Sequence, residues 1–236
     1  MGAAELLIVT FKWTDSSYRA KYTSEHVNIL ASAIRRNYLF PHRVVCYTDD
    51  PNGLDSAIEA RPLWNDLASI PNPTGGGRPS CYRRLRLFAP EIQDELSERF
   101  VMLDLDTIIT GDLAPLWNRP EPLVFLRCIH PGASWHYNGG MWLGTRNCAP
   151  ELWTEFDAEK HPQQANTNGF KGSDQGWINY RLWPGLPTWG PEDGVHRVTQ
   201  FLRGKFPPRG SRIIFCFGDK PPWTLKHFDW VRRNYW

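Results

Sequence analysis

Residues 99–113, Arg99-Phe100-Val101-Met102-Leu103-Asp104-Leu105-Asp106-Thr107-Ile108-Ile109-Thr110-Gly111-Asp112-Leu113, decide how this chain is read. An apolar run stops at two aspartates one residue apart, and a second apolar run leads into a Gly-Asp turn. The consecutive apolar side chains Phe100 to Leu103 suit a strand covered on both faces. In extended backbone, residues i and i+2 project to one side, which predicts that Asp104 and Asp106 both face the mouth of a sheet. Carboxylates held that closely repel unless a cation lies between them, and hard oxygen ligands suit Mg²⁺ or Mn²⁺. The plainer reading is a strand-end turn with two solvated aspartates.

Outward from this segment the pattern is α/β. Leu6-Leu7-Ile8-Val9 reads as a buried first strand, and residues 22–38 carry Val27, Leu30, Ala31, Ile34 and Tyr38 at helical spacing. Residues 43–47 read as the second strand, so the opening is a βαβ unit with parallel strands. A helix is expected over residues 81–88, carrying Arg83, Arg84 and Arg86, and another beginning at residues 150–156. Strands are expected at residues 123–127 and 139–144, and residues 163–172, polar and glycine-bearing, read as a mobile loop. Ligands are then expected at the carboxyl ends of the parallel strands.

Composition narrows the partners. The 236 residues suit one domain, and 41% hydrophobic content allows a sizeable core. A net charge of +2 gives no case for nucleic acid, and no apolar run is long enough for a transmembrane segment. The N-terminus lacks a signal-peptide pattern, and five scattered cysteines without a Cys-x-x-Cys pair read as reduced thiols. A cytoplasmic protein is expected, soluble or membrane-peripheral. Nine of the twelve tryptophans follow Asn118; they suit either sugar-binding faces or ordinary core packing.

Asp104-Leu105-Asp106 after a hydrophobic strand resembles the Asp-x-Asp motif of GT-A-fold glycosyltransferases. Residues 103–113 are similar to the retaining group that contains glycogenin and the bacterial lipopolysaccharide glycosyltransferases. Three further blocks follow that group's order: Tyr137-Asn138-Gly139-Gly140-Met141-Trp142-Leu143-Gly144, Gly172-Ser173-Asp174-Gln175-Gly176-Trp177, and Phe217-Gly218-Asp219-Lys220-Pro221-Pro222-Trp223. The resemblance implies a GT-A-like (Rossmann-like), mostly parallel central sheet flanked by helices in a single domain over residues 1–236. Its nucleotide-binding part would cover about residues 1–118, and its acceptor and donor-sugar part about residues 119–236. It also implies transfer of a hexose from a nucleotide sugar, UDP before GDP, to a glycan, lipid or protein acceptor, with retention and with Mn²⁺ or Mg²⁺.

The same resemblance assigns residues. Asp106, helped by Asp104, would bind the metal, and Asp104 also the donor. Thr10, Asp15, Tyr18 and Asp49 would lie by the nucleoside, and Arg84, Gly218 and Lys220 by the diphosphate or sugar. Asn138, Gly139, Asp174 and Gln175 would surround the reacting sugar, with Gln175 nearest the anomeric carbon. From the residues themselves, the glycines beside Asn138 leave room for a sugar to approach the backbone, and Asp174 suits a helix N-terminus. The family's metal-binding histidine is replaced, since Phe215 stands at its position with Cys216 and Phe217 after it. Asp219 or His227 is the candidate substitute.

Two rival readings remain. A haloacid-dehalogenase-type phosphatase also places Asp-x-Asp after a strand, but wants Thr or Val where this chain has Ile108, and sits nearer the N-terminus. A non-catalytic nucleotide-sugar or glycan-binding protein would keep the fold and have lost the histidine.

Overall fold

The computed structural model describes residues 5–14, 21–75, 80–128, 137–200, 206–217 and 220–236. Strand β1 (Leu6–Lys12), helix α1 (Ser24–Asn37), β2 (His42–Thr48) and β3 (Ile58–Pro62) open the fold. A 3-10 helix over Tyr82–Phe88 and α2 (Pro90–Gln93) lead into β4 (Arg99–Leu103), β5 (Thr107–Ile109) and α3 (Ala114–Trp117). Then come β6 (Leu123–Arg127), β7 (Tyr137–Thr145), α4 (Glu151–Thr154), α5 (His161–Thr167) and α6 (Asp174–Leu182). The short strands β8 (Thr188–Trp189), β9 (Val195–Arg197) and β10 (Ile213–Phe215) precede the last helix, α7 (Asp229–Tyr235).

Every residue of β1 is buried, and its alternation divides the molecule into layers. Leu6 and Ile8 enter one core, while Leu7, Val9 and Phe11 enter the other. The same split runs through β4, where Val101 and Leu103 face the first core and Phe100 and Met102 the second. The first core is closed by the apolar face of α1 (Val27, Leu30, Ala31, Ile34), and the second by Tyr82, Leu85, Phe88 and Trp177. This explains why the strand segments read as continuous apolar runs: both faces are covered.

The main sheet has seven strands in the order β3-β2-β1-β4-β7-β6-β8. Strands β3, β2, β1 and β4 are parallel; β7 runs antiparallel to both β4 and β6, and β8 is parallel to β6. The register pairs Leu6 with Arg99 and Val9 with Met102, so the 99–113 segment joins the sheet of the first strand as expected. The chain runs outward from β1 to both β2 and β4, which opens a crevice at the carboxyl ends of these strands.

Three features differ from the sequence reading. A second sheet, β5-β10-β9, lies beside the first; its strands are three residues each, too short for a periodic signal. Residues 161–167 form α5, which takes the first half of the segment 163–172 read as a mobile loop, while 168–172 lie in no helix or strand. Only Pro162 and Ala165 of α5 are buried, so the helix carries almost no hydrophobic pattern. Residues 82–88 form a 3-10 helix, in which Tyr82, Arg84, Leu85, Leu87 and Phe88 are all buried. Trp117, Trp142, Trp177 and Trp189 are fully buried, so these four indoles serve the core rather than a sugar surface.

Gly144 on β7 tests the packing. A Cβ there would lie 2.7 Å from Cζ of Phe100 and 2.8 Å from the Cys148 sulfur, and the Phe100 ring is fully buried. Strand propensity favours Ala over Gly, yet the lack of space dominates. Gly144→Ala is expected to cost about 1–3 kcal/mol in urea unfolding, where propensity alone predicts a gain.

Candidate active site

The two aspartates sit at the carboxyl end of β4, in a bend that crosses from the main sheet to the small one. Strand β4 ends at Leu103, and Leu105 is buried between the two carboxylates. The Asp104 N–H donates to the Gly140 carbonyl on β7 at 2.9 Å, and the Thr107 hydroxyl donates to the Asp104 carbonyl at 2.7 Å. The Asp106 carbonyl accepts the N–H of Cys216, next to β10, at 2.7 Å. Backbone bonds to both sheets therefore fix where the two side chains point.

Arg84 ties the site together. Its Nη1 lies 2.5 Å from Asp104, and its Nε and Nη2 lie 2.8 and 2.6 Å from the same oxygen of Asp174. The guanidinium carbon stands 5.7 Å from the centre of the Trp142 ring. The 3-10 turn makes this possible: Arg84 points inward and is buried, whereas Arg83 lies over Trp13 and Arg86 over Trp64 and Trp153, paired with Asp66. A Cβ on Gly139 would come within 2.8 Å of the Arg84 Nη2, so the glycine makes room for the guanidinium before any sugar.

A cavity of about 300 Å³ opens beside this network, lined by Asp104, Asp106, Asn138, Gly139, Gln175 and Arg84 among others. The Gln175 amide oxygen accepts the Gly139 N–H at 3.3 Å, and its amide nitrogen donates to the Lys171 carbonyl at 3.2 Å. Gly172, with φ at 98°, lets the Gln175 side chain lie against its Cα; a Cβ there would sit 2.8 Å from the Gln175 Cγ. Asn138 turns its carbonyl oxygen onto the Gly140 N–H at 2.8 Å. Asp174 is the first residue of α6, 2% exposed, and stands behind Arg84 rather than in the cavity wall.

The electrostatics suit a cation. Burial pushes the Asp106 carboxyl up to about 8, with the Asp104 charge adding to the effect. Burial likewise raises Asp104 to about 6 against the pull of Arg84. Tyr22, half-buried against Trp223, is also raised, first by burial and then by the two aspartates. Among the described residues no group of three His, Cys, Asp or Glu side chains is placed to hold a metal. Two carboxylates nonetheless fit Mg²⁺ or Mn²⁺, which take one or two protein oxygens and complete their shell with water and phosphate.

The other expected residues scatter. Thr10 is 1% exposed, with its hydroxyl unpartnered among the described residues, and does not line the cavity. Asp49 is exposed and accepts the Thr14 N–H at 2.9 Å. Lys220 closes a turn by donating its N–H to the Phe217 carbonyl at 2.7 Å, and its side chain is not among those lining the cavity. His227 is exposed in the turn before α7 and is not among the residues lining the cavity. Asp15, Tyr18, Gly218 and Asp219 lie outside the described residues. Sequence reasoning missed Arg127 and Arg197, which also line the cavity. Arg127 ends a recognised strand and was within reach of the rule that ligands gather at strand carboxyl ends; Arg197 ends a three-residue strand that gives no signal.

A mostly parallel sheet with an antiparallel strand beside the Asp-x-Asp bend, carrying a small second sheet, is the GT-A fold of glycosyltransferases. The solved structures similar to this chain include the galactosyltransferase LgtC in complex with donor and acceptor sugar analogs, at 14% identity and a TM-score of 0.61, covering 92% of this chain and 89% of that one. An active-site glutamine-to-glutamate mutant of LgtC matches at 14% identity and a TM-score of 0.63, covering 96% of this chain and 93% of the other. No protein-family model matches the sequence, and no curated protein does either.

Two outcomes follow from the charges. Arg84→Met leaves Asp174 buried without its cation and is expected to cost about 3–5 kcal/mol in denaturant unfolding; adding Asp174→Asn should restore part of that loss. Asp106, whose folded-state pKa is raised, binds its proton more tightly in the native state, so its contribution is present at low pH and is lost as pH rises from about 4 through about 8. Asp106→Asn, which imitates the protonated carboxyl, should therefore melt higher than the parent at pH 8 in metal-free buffer and at the same temperature at pH 4.

Proposed function

We propose that this protein is a metal-dependent glycosyltransferase that moves a hexose from a UDP-sugar to a glycan, lipid or protein acceptor, with retention of anomeric configuration. The observation that carries this reading is the convergence of Asp104, Asp106, Asn138, Gly139, Arg84 and Gln175 on one cavity at the carboxyl end of β4. Support comes also from the fold shared with LgtC, one structure of which holds donor and acceptor sugar analogs while another has an active-site glutamine replaced by glutamate. We place the reaction in the cytoplasm, where five free thiols stay reduced. No helix among the described residues is long and apolar enough to cross a membrane.

Breaking the anomeric C–O bond leaves a diphosphate with added negative charge. Mn²⁺ or Mg²⁺ held by Asp106 and Asp104 would supply charge neutralisation for that leaving group. Arg84 keeps Asp104 aimed at this position and Asp174 anchors Arg84, so Asp174 is a positioning residue in this scheme. Asn138 and the backbone of Gly139 flank the sugar. Gln175 presents its amide oxygen to the positive charge that develops at the anomeric carbon, without having to ionise. The acceptor hydroxyl attacks on the face the diphosphate leaves, and the departing phosphate oxygen takes its proton.

Calorimetric titration with a panel of nucleotide sugars, with and without Mn²⁺, tests the donor assignment. Tight binding of a UDP-hexose only with Mn²⁺, lost in Asp106→Asn, is expected; equal affinity in that variant refutes the metal role. Gln175→Ala should lower turnover by more than it weakens donor binding, because the contact strengthens in the transition state. A glycan-binding protein without catalysis would show binding but no turnover to lose. Proton NMR of the first-formed product decides stereochemistry: a β-linked product from an α-linked donor rules out retention.

A further inference from the structure

Arginines 84, 127 and 197 line the cavity, and their surroundings separate them. Arg84 is committed to Asp104 and Asp174. Arg127 is paired with Glu192 at 2.5 Å and packed so tightly on Gly190 that a Cβ there would overlap its guanidinium. Arg197, at the end of β9, is half-buried and has no carboxylate within ion-pair distance among the described residues. Its guanidinium carbon stands 4.6 Å from the centre of the Phe217 ring, which seats the cation on an apolar face and leaves its N–H edges open. Its charge is felt at Asp106 on the same cavity.

A cation of this kind in a cavity wall is an anion seat. Guanidinium edges match phosphate oxygens in a two-bond fork, and a cation already stacked on a ring loses little freedom in forming it. Its place in the wall of the cavity that holds the two aspartates also answers a shortage in the site. The described metal donors number two carboxylates, and the expected lysine, Lys220, is not in the cavity wall.

We infer that Arg197 binds the terminal phosphate of the nucleoside diphosphate, so that the Phe217-seated guanidinium would neutralise the leaving group together with a cation held by Asp104 and Asp106. This rests on the proposed use of a nucleotide-sugar donor. Arg197 then distinguishes diphosphate from monophosphate, because only the former carries the terminal phosphate. In the reaction the guanidinium stays protonated throughout and takes up no atom; it stabilises charge on the phosphate oxygens as the C–O bond breaks.

The test compares UDP with UMP in the presence of Mn²⁺. Wild-type protein that fails to bind UDP refutes the donor reading itself, independently of Arg197. Given binding, Arg197→Gln is expected to lower UDP affinity about ten- to a hundredfold while UMP affinity changes less than about twofold. Arg197→Lys, which keeps the charge without the fork, should recover part of the difference. Parallel losses for UDP and UMP, or no loss for either, overturn the assignment. A readout on the wild-type protein does not depend on the variants folding: phenylglyoxal modification of Arg197, followed by mass spectrometry, should be blocked by UDP with Mn²⁺ and not by UMP. Equal protection by the two nucleotides overturns it as well.

Discussion

One guanidinium between two carboxylates organises this site. Asp174 is buried at the start of α6, where its charge is not tenable without Arg84, and the half-buried Asp104 at the end of β4 takes the other side of the same guanidinium. Several local features exist to make the meeting possible. The 3-10 turn over Tyr82–Phe88 delivers Arg84 inward while its neighbours Arg83 and Arg86 turn out to aromatic rings. Gly139 withdraws from the space that the guanidinium occupies, and Trp142 offers its face beneath. The Ser173 hydroxyl accepts the Cys81 N–H at 2.8 Å, joining the start of α6 to the start of the arginine turn. Three segments distant in sequence are thus held by two ion pairs of one arginine, with hydrogen bonds around them.

Much of this was legible in the chain. Strands covered on both faces show as unbroken apolar runs, so β1, β2, β4 and β6 could be read directly, and α1 declared itself by the spacing of Val27, Leu30, Ala31 and Ile34. The Asp-x-Asp bend and the Asn138–Gly140 and Ser173–Gln175 blocks converge because each lies at the boundary of an element whose place in the sheet was readable. What could not be read depends on contacts without local signature. The small sheet is made of three-residue strands, and α5 hides in polar sequence with two buried residues. Arg197 owes its place to that small sheet and to Phe217, so no spacing rule could have brought it to the aspartates.

The glycines illustrate a different limit of sequence reasoning. The pair after Asn138 reads as room for a ligand, and the space is real, but protein atoms fill it first. Arg84, Asp174 and Gln175 crowd Gly139, while the Phe215 ring and the Asn138 side chain crowd Gly140. Small residues in a cleft therefore signal close approach without naming the group that approaches. The same holds for tryptophan, since four of the indoles are sealed in the interior, out of reach of any ligand.

The Asp104–Asp106 bend has a mechanical side. Asp104 is fastened to the large sheet through Gly140, and Asp106 to the small sheet through Cys216, with buried Leu105 as the pivot. The separation of the two carboxylates is thus a caliper set by the distance between the sheets. Packing of Ile108, Ile214, Val198, Trp230 and Val231 between the small sheet and α7 holds one jaw in place. A core substitution beneath α7 would open or close that jaw and reset the spacing of the two carboxylates, with every residue of the cavity wall left unchanged.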